Sequence, residues 1–222
     1  MANLEPLIQS IPVAPLKLAS LEGCRTLADQ VNNYLVSFRH ESPTNVGQAD
    51  SLQGYCADSY LLECECPRFG SGEGKGVLKE SVRGCDLFIM VDVTNYSLTY
   101  RVNGYENHMS PDNHYQDLKR IISAADGKAR RINVIMPFLY EGRQHKRSKR
   151  ESLDCALMLQ ELVDMGVSNI LTFDAHDPRV SNSIPLHGFD SFMPTYQFLK
   201  ALVNSVPDFV IDNDHLMIIS PD

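Results

Sequence analysis

The chain alternates short, continuous apolar runs with segments in which apolar residues recur at helical spacing. The runs have the length of strands and lie at 16–19, 60–64, 86–91, 133–138, 169–173 and 216–220. Strands that are apolar without alternation are buried on both faces, which is typical of a parallel sheet covered by helices. The pattern therefore predicts an α/β fold with right-handed crossovers between consecutive strands.

Four amphipathic segments lie between these runs and predict the covering helices. The first begins near Gly23, the second ends at Gly127, and the fourth follows Pro194. The third is predicted to be capped by Ser152 and stopped by Gly166, because a serine accepts from free amides at a helix start and glycine commonly ends a helix. Its apolar face would carry Leu153, Ala156, Leu157 and Leu162.

Two polar segments and the carboxyl end interrupt this alternation of predicted strands and helices. Residues 40–57 and 94–113 are rich in Asn, Gly, Ser and Tyr and are expected to be surface insertions. The run at 216–220 is followed only by Pro221 and Asp222, although a buried strand needs neighbours and helices. We expect a first domain over 1–195 and the beginning of a second over 196–222, with the natural protein continuing further.

Composition excludes several broad classes of function. The net charge of −8 argues against a general nucleic-acid binder. The amino-terminal segment lacks the pattern of a signal peptide, and no apolar run approaches the roughly 18 residues of a membrane span. The six cysteines lack CxxC spacing, which favours buried free thiols in a reducing cytoplasm over a zinc site.

A local cluster of cations stands out in this acidic chain. It falls within eight residues and comprises Arg143, His145, Lys146, Arg147, Lys149 and Arg150. It precedes a predicted helix start, where side chains, amides and the helix dipole together favour a phosphate. The alternative is an ordinary solvated face.

Candidate metal ligands follow the predicted strands. Asp174 and His176 end one strand, Asp92 ends another and Asp222 follows the last. The carboxyl ends of parallel strands meet at one edge, so these groups are expected to collect there. Asp174 could equally bond only the amides of its own loop, and a lone histidine is often a surface residue. Residue types and spacing alone thus indicate a metal-assisted phosphate site.

Four segments in order resemble the ribose-phosphate pyrophosphokinase family. Residues 69–73 and 80–89 are similar to its F-x-D/N-G-E and ESVRG-D-V stretch, and 133–144 to its VIPY…ARQD segment. Residues 172–176 resemble its T-M-D-L-H motif, and 220–222 the start of its SPD-x-G motif. The resemblance covers roughly 16–35 and 59–222, apart from the two polar insertions.

The resemblance implies a parallel-sheet type I phosphoribosyltransferase-like fold with flanking helices, and a definite reaction. Family members transfer diphosphate from ATP to ribose 5-phosphate with Mg²⁺, giving phosphoribosyl pyrophosphate and AMP for nucleotide biosynthesis. Carried over by position, Phe69, Ser71 and Glu73 would read the adenine, Arg143 and Gln144 would contact ATP, and His176 and Asp222 would hold the metal. Lys146, a point charge of the cationic cluster, is expected to contact ATP as well. A cytoplasmic homo-oligomer is implied, with no nucleic-acid or membrane partner.

Departures from the family pattern keep a second hypothesis open. His145 stands where the family has Asp, Ser71 replaces Asp or Asn, and Ala175 replaces Leu. The catalytic and ribose-phosphate loops would lie beyond residue 222, so the chain alone is expected to be inactive. The alternative is a non-catalytic regulatory or nucleotide-binding relative. A generic phosphoribosyltransferase is disfavoured, because no acidic pair followed by a Thr- and Gly-rich loop occurs.

Overall fold

The computed structural model describes residues 14–41 and 54–206, together with 212, 217 and 219. A six-stranded parallel sheet runs through the molecule in the order β10-β9-β8-β5-β1-β2. Its strands are β1 (Leu16–Ser20), β2 (Leu61–Leu62), β5 (Asp86–Met90), β8 (Arg131–Ile135), β9 (Val167–Phe173) and β10 (Gly188–Phe192). The parallel α/β architecture expected from the apolar runs is confirmed.

Helices cover the two faces of the sheet. A 3₁₀ turn, Glu22–Cys24, leads into α1 (Arg25–Glu41), and the two pack on one face through Cys24 of the turn and Ala28 of the helix. The opposite face carries α2 (Pro111–Ala125) and α3 (Asp154–Asp164), whose buried residues join the larger core with Leu87, Ile89 and Val134. A 3₁₀ helix, Pro178–Ser183, precedes β10, and α4 (Thr195–Ser205) follows it. Among the described residues, no helix has both the length and the apolarity to cross a membrane.

Two small antiparallel sheets stand outside the main one. The first pairs β3 (Cys64–Glu65) with β4 (Val77–Leu78). The second is a hairpin of β6 (Thr99–Val102) and β7 (Tyr105–His108). Its turn, Asn103-Gly104, has φ angles of 50° and 86°, as a two-residue hairpin turn requires.

Several local expectations were wrong. The run at 60–64 is not one strand, because β2 belongs to the main sheet and β3 to the small one. The segment 94–113, expected to be a surface insertion, contains β6, β7 and the start of α2. Leu153, not Ser152, is the N-cap of α3, and Leu157 is exposed. The helix after Pro194 is present, but none of its residues is buried.

Other expectations lie outside the described residues. These include most of the run at 216–220, the proposed metal ligand Asp222, and residues 42–53 of the first polar segment.

Candidate functional site

The cationic segment forms a loop after β8, which we call the basic loop (residues 139–152). Gln144 closes this loop, because its side-chain amide donates to the carbonyls of Ser152 at 2.7 Å and Lys146 at 3.3 Å. The predicted ATP contact Gln144 therefore serves within the loop. At the loop's other end, the Tyr140 hydroxyl donates to Asp112 at 2.6 Å. The ring of Tyr140 also stacks on Tyr115 at 4.5 Å, and both contacts fix the loop to α2.

The arginines and lysines of the basic loop have no acidic partner among the described residues. Glu141 faces acidic neighbours, and burial followed by the charges of Asp154 and Asp112 raises its carboxyl pKa. Glu151 accepts from Ser148 of the same loop. Among the described residues, no carboxylate lies within ion-pair distance of the five exposed cations Arg143, Lys146, Arg147, Lys149 and Arg150. The loop therefore presents a concentrated positive charge to solvent.

A second loop, residues 174–179, follows β9 and carries His176. Asp174 adopts a φ of 45°, a left-handed conformation that is uncommon for a residue other than glycine. The Asp174 amide donates to the Phe192 carbonyl at 3.0 Å and the Ala175 amide to Ser191 Oγ at 2.9 Å. These bonds to β10 hold the turn in place, and both Asp174 and His176 remain exposed at the carboxyl edge of the sheet.

His145 joins the two loops. Its ring centroid lies 5.0 Å from that of His176, and its Nε2 lies 3.6 Å from Asp177 Oδ2. Its Nδ1 is 3.1 Å from the Arg143 carbonyl oxygen. The cationic segment and the imidazole of His176 therefore share one edge of the sheet, as expected from strand ends that meet there.

Asp177 and Arg179 belong to this edge but were not singled out from the sequence. Hydrogen bonds from the side chain and backbone of Arg179 lower the pKa of the Asp177 carboxyl, and the nearby His145 acts in the same direction. Asp177 also caps the 3₁₀ helix by accepting from the Arg179 amide at 2.9 Å. The Asp-Pro-Arg sequence at 177–179 is the only local signal of this cap, since Asp favours a helix start with Pro just after it.

The predicted adenine-reading residues lie in another loop, which we call the Phe69 loop (residues 68–74). Ser71 Oγ donates to Glu73 Oε2 at 2.8 Å, and Phe69 is 54% exposed. Arg68 anchors the base of the loop by pairing with Asp117 of α2 at 2.7 Å, and Arg120 pairs with the same carboxylate at 2.6 Å.

Helix α2 stands between the Phe69 loop and the basic loop. Asp117 and Arg120 face the Phe69 loop, whereas Asp112 and Tyr115 face the basic loop. At 100° per residue these pairs project from opposite flanks of the helix. Among the described residues, no hydrogen bond, ion pair or ring contact links the two loops. The structure thus brings the phosphate and histidine groups together and leaves the base-reading group apart.

The described residues do not form a metal cage by themselves. Within 14–41 and 54–206, no group of three or more His, Cys, Asp or Glu side chains is arranged to hold a metal ion. Mg²⁺ usually takes few protein ligands and completes its shell with water and phosphate oxygens. Of the side chains at this edge, His176 and Asp174 are exposed and are compatible with such an incomplete shell.

Comparison with known proteins gives a consistent assignment. A model of the N-terminal domain of ribose-phosphate pyrophosphokinase matches residues 16–166. Ribose-phosphate pyrophosphokinase of Corynebacterium ammoniagenes is 29% identical over 167 residues, covering 74% of this chain and 41% of the relative. That of Staphylococcus epidermidis is 27% identical over 166 residues, covering 73% of this chain and 46% of the relative. The chain therefore spans less than half the length of these curated relatives.

A solved structure shares the fold. Phosphoribosylpyrophosphate synthetase from Mycobacterium smegmatis superposes with a TM-score of 0.62 at 22% identity, covering 86% of this chain and 52% of that chain. The resemblance supports the parallel-sheet phosphoribosyltransferase-like architecture described above.

Proposed function

The chain belongs to the family of the N-terminal domain of ribose-phosphate pyrophosphokinase, and from this premise we propose that it is the ATP-side part of a ribose-phosphate diphosphokinase. The reaction would transfer diphosphate from Mg-ATP to ribose 5-phosphate, giving phosphoribosyl pyrophosphate and AMP. Such a transfer depends on positioning and charge neutralisation more than on covalent chemistry.

The observation that carries the proposal is a loop with five exposed cations, none paired with a carboxylate among the described residues, whose His145 ring lies against His176. Unpaired cations that share a loop repel one another, and a solvated face would more often intersperse both signs. A triphosphate with about four negative charges at neutral pH would relieve this repulsion through charge-assisted hydrogen bonds. Arg143 would bind phosphate oxygens through its two-pronged guanidinium, and Lys146 would act as a point charge.

His176 and Asp222 are the proposed protein ligands of Mg²⁺. The ion, when bound with ATP, would neutralise charge on the phosphates that are transferred. His145 and the buried Asp177 would position the His176 loop against the basic loop. Gln144 would act chiefly by keeping the basic loop closed, because both donors of its amide are used there.

The separation of the two loops by α2 favours a homo-oligomer as the functional unit. Phe69, Ser71 and Glu73 are the proposed adenine contacts, yet α2 lies between them and this chain's own basic loop. A second copy could offer its Phe69 loop to this chain's phosphate site. A cytoplasmic location is part of the same proposal, since free thiols persist in a reducing compartment.

The identity of the nucleotide product tests the proposed reaction. Incubation of the protein that carries this chain at full length with ATP, ribose 5-phosphate and Mg²⁺ should produce AMP, and chromatography separates AMP from ADP. The 222-residue chain alone should bind Mg-ATP without turnover. If the longer protein binds Mg-ATP but forms no AMP, the result would instead favour a non-catalytic regulatory relative. The presence of His145 where the family has Asp is the reason for considering this alternative.

A histidine pair tests the site itself. His176→Ala should weaken use of Mg-ATP while leaving the fold intact, because the side chain is exposed. His187→Ala is the matched control, since His187 is also exposed and, among the described residues, makes only a backbone contact, with Ile184. If the full-length protein forms AMP at the same rate with and without the change His176→Ala, His176 has no role in the mechanism.

A further inference from the structure

The β6–β7 hairpin touches the Phe69 loop at its tip. The Asn103 amide donates to the Gly70 carbonyl at 3.1 Å. Gly72, at a φ of 92°, packs so closely that a Cβ there would lie 2.9 Å from Val102 Cγ2. The Arg68 guanidinium lies 5.1 Å from the centre of the Tyr100 ring. Tyr100, Val102 and Asn103 of the hairpin therefore bound one side of the loop.

The other end of the hairpin is fixed to the body of the domain. Asn95, just before β6, donates to the Gly23 carbonyl at 3.0 Å, and His114 of α2 lies 2.7 Å from the Asn95 carbonyl. After β7, Ser110 caps α2 by accepting from the Asn113 amide. Because both ends of the segment are attached to the rigid core, the hairpin can resist movement of whatever its tip contacts.

A cavity of about 290 Å³ separates the hairpin from the body between these two attachments. It is lined by Leu98 and Tyr100 of the hairpin segment, by Arg68, and by Glu22 and Gly23 before α1. The hairpin therefore spans a gap and is not simply packed on the surface. Its influence on the Phe69 loop is concentrated in the contacts made by Tyr100, Val102 and Asn103.

The Phe69 loop has few restraints of its own at its tip. Two backbone bonds hold it, from the Phe69 amide to the Glu73 carbonyl at 2.7 Å and from the Gly72 amide to the Phe69 carbonyl at 2.9 Å, beside the side-chain bond from Ser71 to Glu73. Its base is fixed through Arg68 and Asp117, but Phe69, Ser71 and Glu73 are exposed. A short, exposed, glycine-containing loop of this kind loses considerable entropy when it orders around a ligand.

We propose that the β6–β7 hairpin braces the Phe69 loop and so preorganises Phe69, Ser71 and Glu73 for recognition of the nucleotide base. This inference rests on the proposed function, and it assigns a role to a segment that none of the four family-like motifs includes. Tyr100 and Val102 are positioning residues in this scheme, since they contact the loop and not the base. The brace should therefore matter for base recognition and not for the phosphate contacts of the basic loop.

Removal of the hairpin is the direct test. The Met109 amide donates to the Leu98 carbonyl at 2.9 Å, so the two ends are adjacent and two glycines can replace residues 99–108. A milder variant is Tyr100→Ala combined with Val102→Ala. Tyr105→Ala is the matched control, because Tyr105 lies on the same hairpin, is 77% exposed and makes no side-chain contact with the loop.

The first measurement is hydrogen exchange of the Phe69 and Gly72 amides without nucleotide. Both brace variants should exchange at least about tenfold faster at these amides than the wild type, since opening of the loop is no longer opposed. Tyr105→Ala should match the wild type. Unchanged exchange in both brace variants would overturn the brace, whatever the chain binds.

The second measurement compares the affinities for Mg-ATP and for Mg-tripolyphosphate, which lacks a base. The brace variants should weaken Mg-ATP binding about tenfold and leave Mg-tripolyphosphate unchanged, because only base recognition loses preorganisation. Faster exchange with an unaltered ratio of the two affinities would overturn the role in base recognition. If the wild type binds neither Mg-ATP nor Mg-tripolyphosphate, the proposed function fails. Hydrogen exchange alone then decides whether the hairpin braces the loop.

Discussion

At the scale of single residues, Arg143 has the clearest expected role. It is exposed, has no acidic partner among the described residues, and lies with its guanidinium carbon 5.9 Å from the centre of the Phe138 ring. Arg143→Ala should cost about 1.5–3 kcal/mol of Mg-ATP binding free energy through the lost charge-assisted contact. That is roughly a 10- to 150-fold rise in Kd, measurable by calorimetry.

Arg130→Ala is the matched control for this change. Arg130 is also exposed, but it precedes β8, at the opposite end of the strand from the basic loop. If Arg130→Ala weakens Mg-ATP binding as much as Arg143→Ala does, the net charge of the protein governs binding and not a phosphate contact by Arg143.

The cysteines provide a second prediction at this scale. Cys56 is exposed, whereas Cys24, Cys64, Cys85 and Cys155 are buried. Burial raises the thiol pKa of Cys24, Cys64 and Cys155 to about 11. Since the thiolate is the reactive form, iodoacetamide at pH 8 should label Cys56 well before these buried thiols.

Mass spectrometry of the alkylated chain gives the measurement. One adduct should form early on the native protein, and all six cysteines should react after unfolding. Early adducts on Cys24 or Cys155 would show that the core opens more readily than the structure indicates. The expectation of buried free thiols thus holds for four cysteines, while Cys66 is partly buried and Cys56 is exposed.

Residue types identified the cations and His176, but not their partners. His145 and Asp177 are 32 positions apart in the sequence, and only the adjacency of β8 and β9 brings their side chains to 3.6 Å. Gln144 was expected to contact ATP because of its place in the motif. Its use in closing the basic loop depends on the path of residues 145–152, which local propensity does not determine.

At the scale of secondary-structure elements, Gly76 sets how closely the strand β4 approaches α2. A Cβ at Gly76 would lie 2.3 Å from the backbone carbonyl oxygen of Arg120, and backbone cannot yield as a flexible side chain does. Gly76→Ala should therefore destabilise the domain by about 1–3 kcal/mol through overpacking. Urea unfolding gives this free energy from the shift in midpoint at constant slope.

Gly70→Ala supplies the comparison, because no atom of the described residues lies within 4 Å of a Cβ built at Gly70. Its effect on stability should stay within about 0.5 kcal/mol. If both variants unfold at the wild-type midpoint, β4 does not depend on its close approach to α2.

The helices were more predictable than the short strands. The amphipathic segment that ends at Gly127 placed α2 correctly, since a helical face repeats within a few residues, and its stripe of Leu118, Ile121, Ile122 and Ala125 is buried. The run at 60–64 is divided between two sheets because its second half pairs with β4 and not with β1. That choice depends on a partner 14 residues away, and the pattern of apolar residues cannot reveal it.

At the scale of the whole molecule, the boundary of the first domain can be tested by truncation. No residue of α4 is buried, although Phe198 and Tyr196 are large and apolar or aromatic. A chain ending at Met193 should therefore unfold with a free energy within about 0.5 kcal/mol of the full chain. This result would support a first domain that ends near residue 195.

A chain ending at His187 is the control for the truncation. It lacks β10, which pairs with β9 along five residues and holds the Asp174 turn through Phe192. Its unfolding free energy should fall clearly below that of the full chain. If the unfolding free energy of the chain ending at Met193 falls by a comparable amount, α4 belongs to the first domain.

The sequence by itself determined the α/β class, the parallel sheet and the collection of cations and His176 at one edge. These follow from short-range patterns, together with the general rule that parallel strands deliver their carboxyl ends to the same side. Only the tertiary structure decided that the Phe69 loop and the basic loop lie on opposite flanks of α2, and that the β6–β7 hairpin reaches the first of them. Both outcomes depend on which helix face meets which neighbour, and that is settled by contacts between distant residues.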